Sequence, residues 1–228
     1  MKLPIKYFAP VWLMILGALA LTGCSSTPKI PDWRLESKGA MERSIAAYLE
    51  GNARIEAAEL ARARSQLSRT GRADLVASAE LLRCAARVAS LVFEPCSGFD
   101  ALRPDATEAQ RTYADYLRGQ LSPSRTPLLP VTQQAAASRS AGDATGLQGI
   151  EDPLSLLVAA GVLLETGKAN PVTIAQAVDT ASSQGWRRPL LAWLGVQVQR
   201  AAQADQPAEV ERLQRRIKLV YNEAAAPN

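Results

Sequence analysis

ADLVASAELLRCAARVASLVF, residues 73–93, decides the fold class. Leu75, Ala79, Leu82, Ala86, Ala89 and Phe93 step by fours and threes, which lays one apolar stripe along an α-helix. Asp74, Glu80, Arg83 and Arg87 lie mostly off that stripe. The flanking sequence reads the same way. Asn52 is a candidate N-cap for a helix running to about Ser68, and Gly71 separates the two. An earlier helix is expected over residues 36–50. Asp105 and Glu108 have capping-box spacing and open a helix that Gly119 closes. No segment alternates with period two in β-branched and aromatic residues, and aromatic content is only 5%. The sequence predicts an all-α fold, either a helical-hairpin repeat array of the α-solenoid kind or an irregular helical bundle.

Pro153, Pro171, Pro189 and Pro207 recur every 18 residues. Proline suits the first helical position, where its missing N–H costs nothing. Asp152 and Asn170 precede the first two as N-caps, and Gly167 and Gly185 stand where the preceding helices would stop. Four helices of about 14 residues follow, and two per 36 residues is close to the length of a solenoid repeat. Earlier, Tyr48, Gly51 and Ala57 resemble the tyrosine, glycine and alanine positions spanning the two helices of a tetratricopeptide repeat. Pro123, Pro127 and Pro130 exclude helix over 122–130, and Gln133 to Gly149 is poor in large apolar residues. Residues 120–151 therefore read as a linker between an N-terminal helical lobe, 35–119, and a C-terminal lobe, 152–228.

The N-terminus is of another kind. Lys2 and Lys6 precede an apolar run from Tyr7 to Leu21, interrupted by Pro10 and Gly17 and closed by Leu21-Thr22-Gly23-Cys24. Such a run is short of the roughly 20 residues a spanning helix needs, and its layout is that of a secretory signal peptide, 1–23. The final four residues resemble the lipobox of bacterial lipoproteins. That resemblance implies lipidation of Cys24, cleavage before it, and a mature protein anchored to a membrane by acyl chains through a tether, 24–34. Ser25 in place of Asp implies the periplasmic face of the outer membrane in a Gram-negative host, and the cell membrane otherwise.

Cysteine use agrees with an oxidising compartment. After Cys24, only Cys84 and Cys96 remain, and the pair reads as an internal disulfide, with two buried thiols or an intermolecular bridge as alternatives. Of 26 basic residues, removal of Lys2 and Lys6 leaves 24 against 22 acidic ones, about +2. That balance gives no nucleic-acid partner, which would need clustered positive excess. The arginines at 62, 64, 69 and 72 and those at 212, 215 and 216 read as solvated helix faces.

The chain has no histidine, which removes the commonest general base and the usual zinc or iron ligand. No phosphate-binding glycine loop or Gly-x-Ser-x-Gly turn occurs, so no catalytic residue, cofactor or metal is expected. A paired-carboxylate mechanism would draw on Glu36, Glu42, Glu50, Glu56, Glu59 or Glu80, each expected on a solvated helix face. Trp186 and Trp193 lie a heptad apart; they read as core between helices or as anchors for a partner. Trp33 either docks on the domain or rests at the membrane. The expected function is a lipid-anchored periplasmic adapter or scaffold that binds another cell-envelope protein. The alternatives are a peptidoglycan- or glycan-active enzyme using carboxylates and a lipid-binding structural lipoprotein.

Overall fold

The computed structural model describes residues 30–139 and 147–225, with side chains as far as Tyr221. The signal segment, Cys24 and most of the tether lie outside these residues, as do positions 140–146 of the expected linker. The chain divides into two compact units, Met1–Asp32 and Trp33–Asn228.

Regular structure among the described residues is helical throughout. The α-helices are α1 (Asp32–Glu50), α2 (Ala53–Ser68), α3 (Ala73–Ala89), α4 (Ser97–Asp100), α5 (Glu108–Leu117), α6 (Val131–Ala137), α7 (Pro153–Glu165), α8 (Pro171–Ser183), α9 (Arg187–Gln203) and α10 (Pro207–Ala225). Two 3-10 turns, Arg103–Asp105 and Pro123–Leu128, complete the set. The fold is all-α, as its apolar periodicity and helix stops require.

Local chemistry explains most boundaries. Asn52 caps α2 by accepting from the Ile55 N–H at 3.1 Å. Asp152 and Asn170 cap α7 and α8 by accepting from Ser155 at 2.7 Å and Thr173 at 2.8 Å. Pro153, Pro171 and Pro207 each hold the first position of a helix, whereas Pro189 is the third residue of α9. That helix starts two residues earlier because Trp186 closes the turn after Gly185 and serves as its N-cap. The helices are 13, 13, 17 and 19 residues long. Each packs on the one before it, so α7–α10 form a sequential array.

Several boundaries differ from expectation. α1 begins at Asp32, inside the expected tether, and half-buried Trp33 packs on the cluster formed by Ala40, Met41, Ile45, Tyr48 and Leu49. The capping box of α5 is Thr107 with Gln110, not Asp105 with Glu108, because residues 103–105 are already wound into a 3-10 turn. Pro123–Leu128 is also 3-10; proline forbids the longer α-type bonding there, not every helical turn. Ala57 is exposed on α2.

α3 and α7 are the centre of the second unit. On α3 the buried positions include Val76, Leu81, Cys84, Val88 and Ala89, while Leu82 and, past the helix end, Phe93 are exposed. Ala79, Ala86 and Ala89 of the expected stripe are buried and Leu75 packs on the smaller cluster, but the buried surface is broader than the stripe, since α2, α5 and α7 all pack on this helix. α7 is apolar on all sides and buried from Leu157 to Leu163, which fits a helix enclosed by neighbours. The two cross where Gly161 meets Val88: an added Cβ would overlap the Val88 carbonyl oxygen and lie 3.0 Å from its Cγ1. One apolar cluster runs from Ala77 of α3 to Leu213 of α10 and includes Leu129, Ala136 and Leu147 from the expected linker. Gln133, 2% exposed, ties this region together by accepting from the Tyr116 hydroxyl at 2.7 Å and donating to the Ser155 carbonyl at 2.9 Å.

Candidate functional site

α3 ends in a turn that proteins ordinarily build with glycine. Leu91 N–H donates to Val88 O at 3.0 Å and Val92 N–H to Arg87 O at 2.9 Å, with Leu91 at φ 58°. This is the paired bonding of a helix C-terminus closed by a left-handed residue. A leucine there carries steric strain of about 1–2 kcal/mol, the penalty of placing a Cβ in left-handed backbone. Leu91 holds the position because its side chain packs on the main core. The chain then runs outward through Val92, Phe93, Glu94 and Pro95 and returns at Cys96, whose Cα lies 5.9 Å from that of Cys84, at disulfide distance.

Beneath this short loop is a cleft of about 470 Å³, a volume in the range of small-ligand sites. Its apolar walls are Cys84 and Val88 from α3, Ala114 and Leu117 from α5, and Val92, Phe93, Pro95 and Cys96 from the loop. Val92 and Phe93 are 38% and 39% exposed, a pair of large apolar side chains kept partly in water. The charged lining is Arg87, Glu94, Arg118 and Glu165. Arg87 bridges Glu56 at 3.0 Å and Glu94 at 2.5 Å, and Arg118 reaches both carboxylate oxygens of Asp100 at 2.6 Å. These pairs fix the walls and leave the apolar interior to make the contacts.

Arg87 also organises the rear of the site. Its guanidinium lies 4.7 Å from the Tyr48 ring centroid, and that of Arg188 lies 4.4 Å from the same centroid. Both distances fall in the cation–π range. Burial pushes the Tyr48 phenol above its ordinary pKa, while Arg87 and Arg188 pull against that rise. Arg188 Nε donates to Tyr48 O at 2.8 Å and Arg187 Nε to Glu50 O at 2.9 Å. Two cations from the start of α9 thus close the C-terminus of α1, where free carbonyls favour positive charge.

The tryptophans belong to this framework. Trp193 is 0% exposed and its Nε1 donates to the Ala89 carbonyl, so it offers no surface to a partner. Trp186 is half-buried and packs against both apolar clusters. The two do not form one exposed face.

The carboxylates divide differently from expectation. Glu36, Glu42 and Glu50 are exposed, and Glu59 pairs with Arg43 at 2.8 Å, which holds its carboxyl below the usual range. Glu56 and Glu80, however, are buried rather than solvated. They meet arginines across the α2–α3 hairpin: Glu56 with Arg87 at 3.0 Å and Arg83 at 3.9 Å, Glu80 with Arg64 at 2.9 Å. In this antiparallel hairpin, position 56 faces 87 and position 64 faces 80, so each acid finds a base from the other helix. Among the described residues no three potential metal ligands come together, and no helix is long and apolar enough to cross a membrane.

The residues that shape the cleft, Leu91, Val92, Phe93 and Arg87, carry no motif. The one available signal was the Cys84 and Cys96 spacing, which marks a pinned loop but not the space under it. Together, fold and site define an all-α protein with an apolar cleft beside a cysteine pair. No family model, curated protein or solved structure matches the chain.

Proposed function

We propose that this chain is a lipid-anchored helical adapter on the periplasmic face of the outer membrane, holding an apolar segment of another envelope protein in the cleft beside Cys84 and Cys96. The observation that carries the reading is the partial exposure of Val92 and Phe93 on a loop held by a strained Leu91. Local strain and exposed apolar side chains both recur at binding sites. The lipobox resemblance supplies the anchor, and a bond between the two cysteines suits the oxidising compartment. Only seven residues separate Cys24 from the start of α1. They reach at most about 25 Å, so a partner at the membrane surface meets the adapter at raised effective concentration.

The test is co-purification from crosslinked membranes, comparing the natural chain with Cys24→Ser and with Val92→Asp plus Phe93→Asp. Both side chains are partly exposed, so the double change spares the core. One envelope protein retained by the natural chain and lost from both variants supports the adapter. Retention by the double variant removes the cleft from the account. A second reading rests on the same apolar walls: an acyl chain in the cleft. A lipid-sized mass that stays with the natural chain in native mass spectrometry and leaves with the double variant would select it.

A further inference from the structure

A second concave surface lies on the array, away from the cleft. α9 presents Gln197, Arg200 and Ala201 on one face at helical spacing, toward a groove of about 590 Å³ that α8 and α10 complete. Its floor is buried and apolar: Ile174 from α8, Ala201 from α9 and Leu213 from α10. Its polar lining includes the amides of Gln197 and Gln203 and the guanidinium of Arg200. None of these three side chains meets a partner among the described residues. The acid in the groove, Glu209, is held by Arg212 through two bonds of 2.7 and 2.6 Å. Arg200 is left as an uncompensated cation over an apolar floor.

The last two helices, which supply most of the groove lining, carry a net charge of the same sign. Residues 187–225, the last two helices with the turn between them, contain seven basic and four acidic side chains. The rest of the mature chain then holds 17 basic against 18 acidic side chains. The positive excess therefore sits in the last two helices. Arg187 and Arg188 are engaged by carbonyls of α1, and Arg215 pairs with Glu211 at 3.7 Å, which leaves Arg200 available within the groove.

We propose that this groove binds an extended acidic segment of a second protein, with a carboxylate on Arg200 and an apolar side chain on the floor. Glutamine amides both donate and accept, as main-chain peptide groups do, so Gln197 and Gln203 suit an extended backbone. A glycan is disfavoured because no aromatic ring lines the groove, and a membrane is disfavoured because the cation sits in a concavity. This site is independent of the cleft and stands or falls without it.

Fluorescence anisotropy of the full chain in nonionic detergent tests it, with empty micelles as the blank. The probes are two fluorescein-labelled decapeptides, one alternating Asp with Leu and the other alternating Lys with Leu. The expected result is saturable binding of the acidic probe, at least about tenfold tighter than the basic one, weakening with added salt. Arg200→Glu should reduce it about tenfold or more, as loss of a charged hydrogen bond requires. Lys38→Glu, at an exposed side chain of α1, should leave it unchanged. Equal binding of both probes, no binding of either, or equal losses from Arg200→Glu and Lys38→Glu would overturn the proposal. Since Arg200 is exposed, a circular dichroism melt of each variant confirms that folding is retained.

Discussion

The indole Nε1 of Trp193 donates to the main-chain carbonyl of Ala89 at 3.1 Å, joining α9 to the end of α3 across 104 residues of chain. Ala89 is the last residue of α3, and its carbonyl is one of the four that a helix leaves without an internal acceptor bond. The bond satisfies that group inside the core and anchors the turn from which Leu91 launches the cleft loop. Trp193→Phe keeps an aromatic ring but orphans the carbonyl. It should lower the unfolding free energy by about 1–3 kcal/mol, the penalty of a buried unpaired acceptor. Urea unfolding should show a lower midpoint with the slope unchanged; an unaltered midpoint would mean that the bond contributes nothing.

Two helical glycines should respond in opposite directions. Gly161 lies against Val88 where α7 crosses α3, whereas nothing stands within 4 Å of a Cβ added at Gly195. Gly195→Ala should stabilise by up to about 1 kcal/mol through helix propensity. Gly161→Ala gains the same propensity but must push two central helices apart, a cost of about 1–3 kcal/mol that leaves the variant less stable. Thermal melts of the two variants against the natural chain decide it. Stabilisation by both would contradict the close crossing.

Alkaline pH should loosen the core through Tyr116. Burial pushes its phenol well above the ordinary value, with neighbouring Tyr113 adding to the rise. A raised folded pKa gives stability that is whole below the unfolded value of about 10 and is lost as pH climbs toward the folded one. The urea midpoint should therefore hold to about pH 9 and decline beyond about pH 10. In Tyr116→Phe the decline should be shallower, from a start about 1–3 kcal/mol lower because Gln133 loses its buried donor. An identical decline in both proteins would place the effect elsewhere.

A bond between Cys84 and Cys96, 12 positions apart, should stabilise the chain by about 2–3 kcal/mol, as closure of a short loop does. Cys84→Ser with Cys96→Ser should melt lower by that amount. Reductant should lower the melting temperature of the natural chain and leave the double variant unmoved. Free-thiol labelling of both cysteines in the untreated, folded chain would contradict the bond.

Features written in local chemistry were legible in the sequence. Asn52, Asp152 and Asn170 cap helices through their own side chains, and Gly167 and Gly185 stop them. Features that depend on neighbours were not. Periodicity places one stripe on α3 but does not say that α2, α5 and α7 would surround it, so Val76, Leu81 and Val88 are buried while Leu82 is not. Glu56 and Glu80 look like surface acids until the hairpin sets each against an arginine of the other helix. Leu91 takes a glycine's conformation with no glycine to announce it, and the cleft follows from that turn. Trp193 was ambiguous for a related reason: heptad spacing with Trp186 fixes a helix face, not what covers it.

The central claim is that the cleft receives a segment of an envelope protein at the membrane. It is tested most directly by placing a photo-crosslinking amino acid at position 93 in living cells, with the same group at exposed Ile55 as the control and with Cys24→Ser as the untethered chain. The account predicts one defined envelope protein joined to position 93 of the anchored chain through an apolar segment identified by mass spectrometry. The adduct should be absent from position 55 and strongly reduced without the anchor. The same adduct pattern from positions 93 and 55, or no protein adduct at 93 under conditions that trap a known lipoprotein complex, would contradict it.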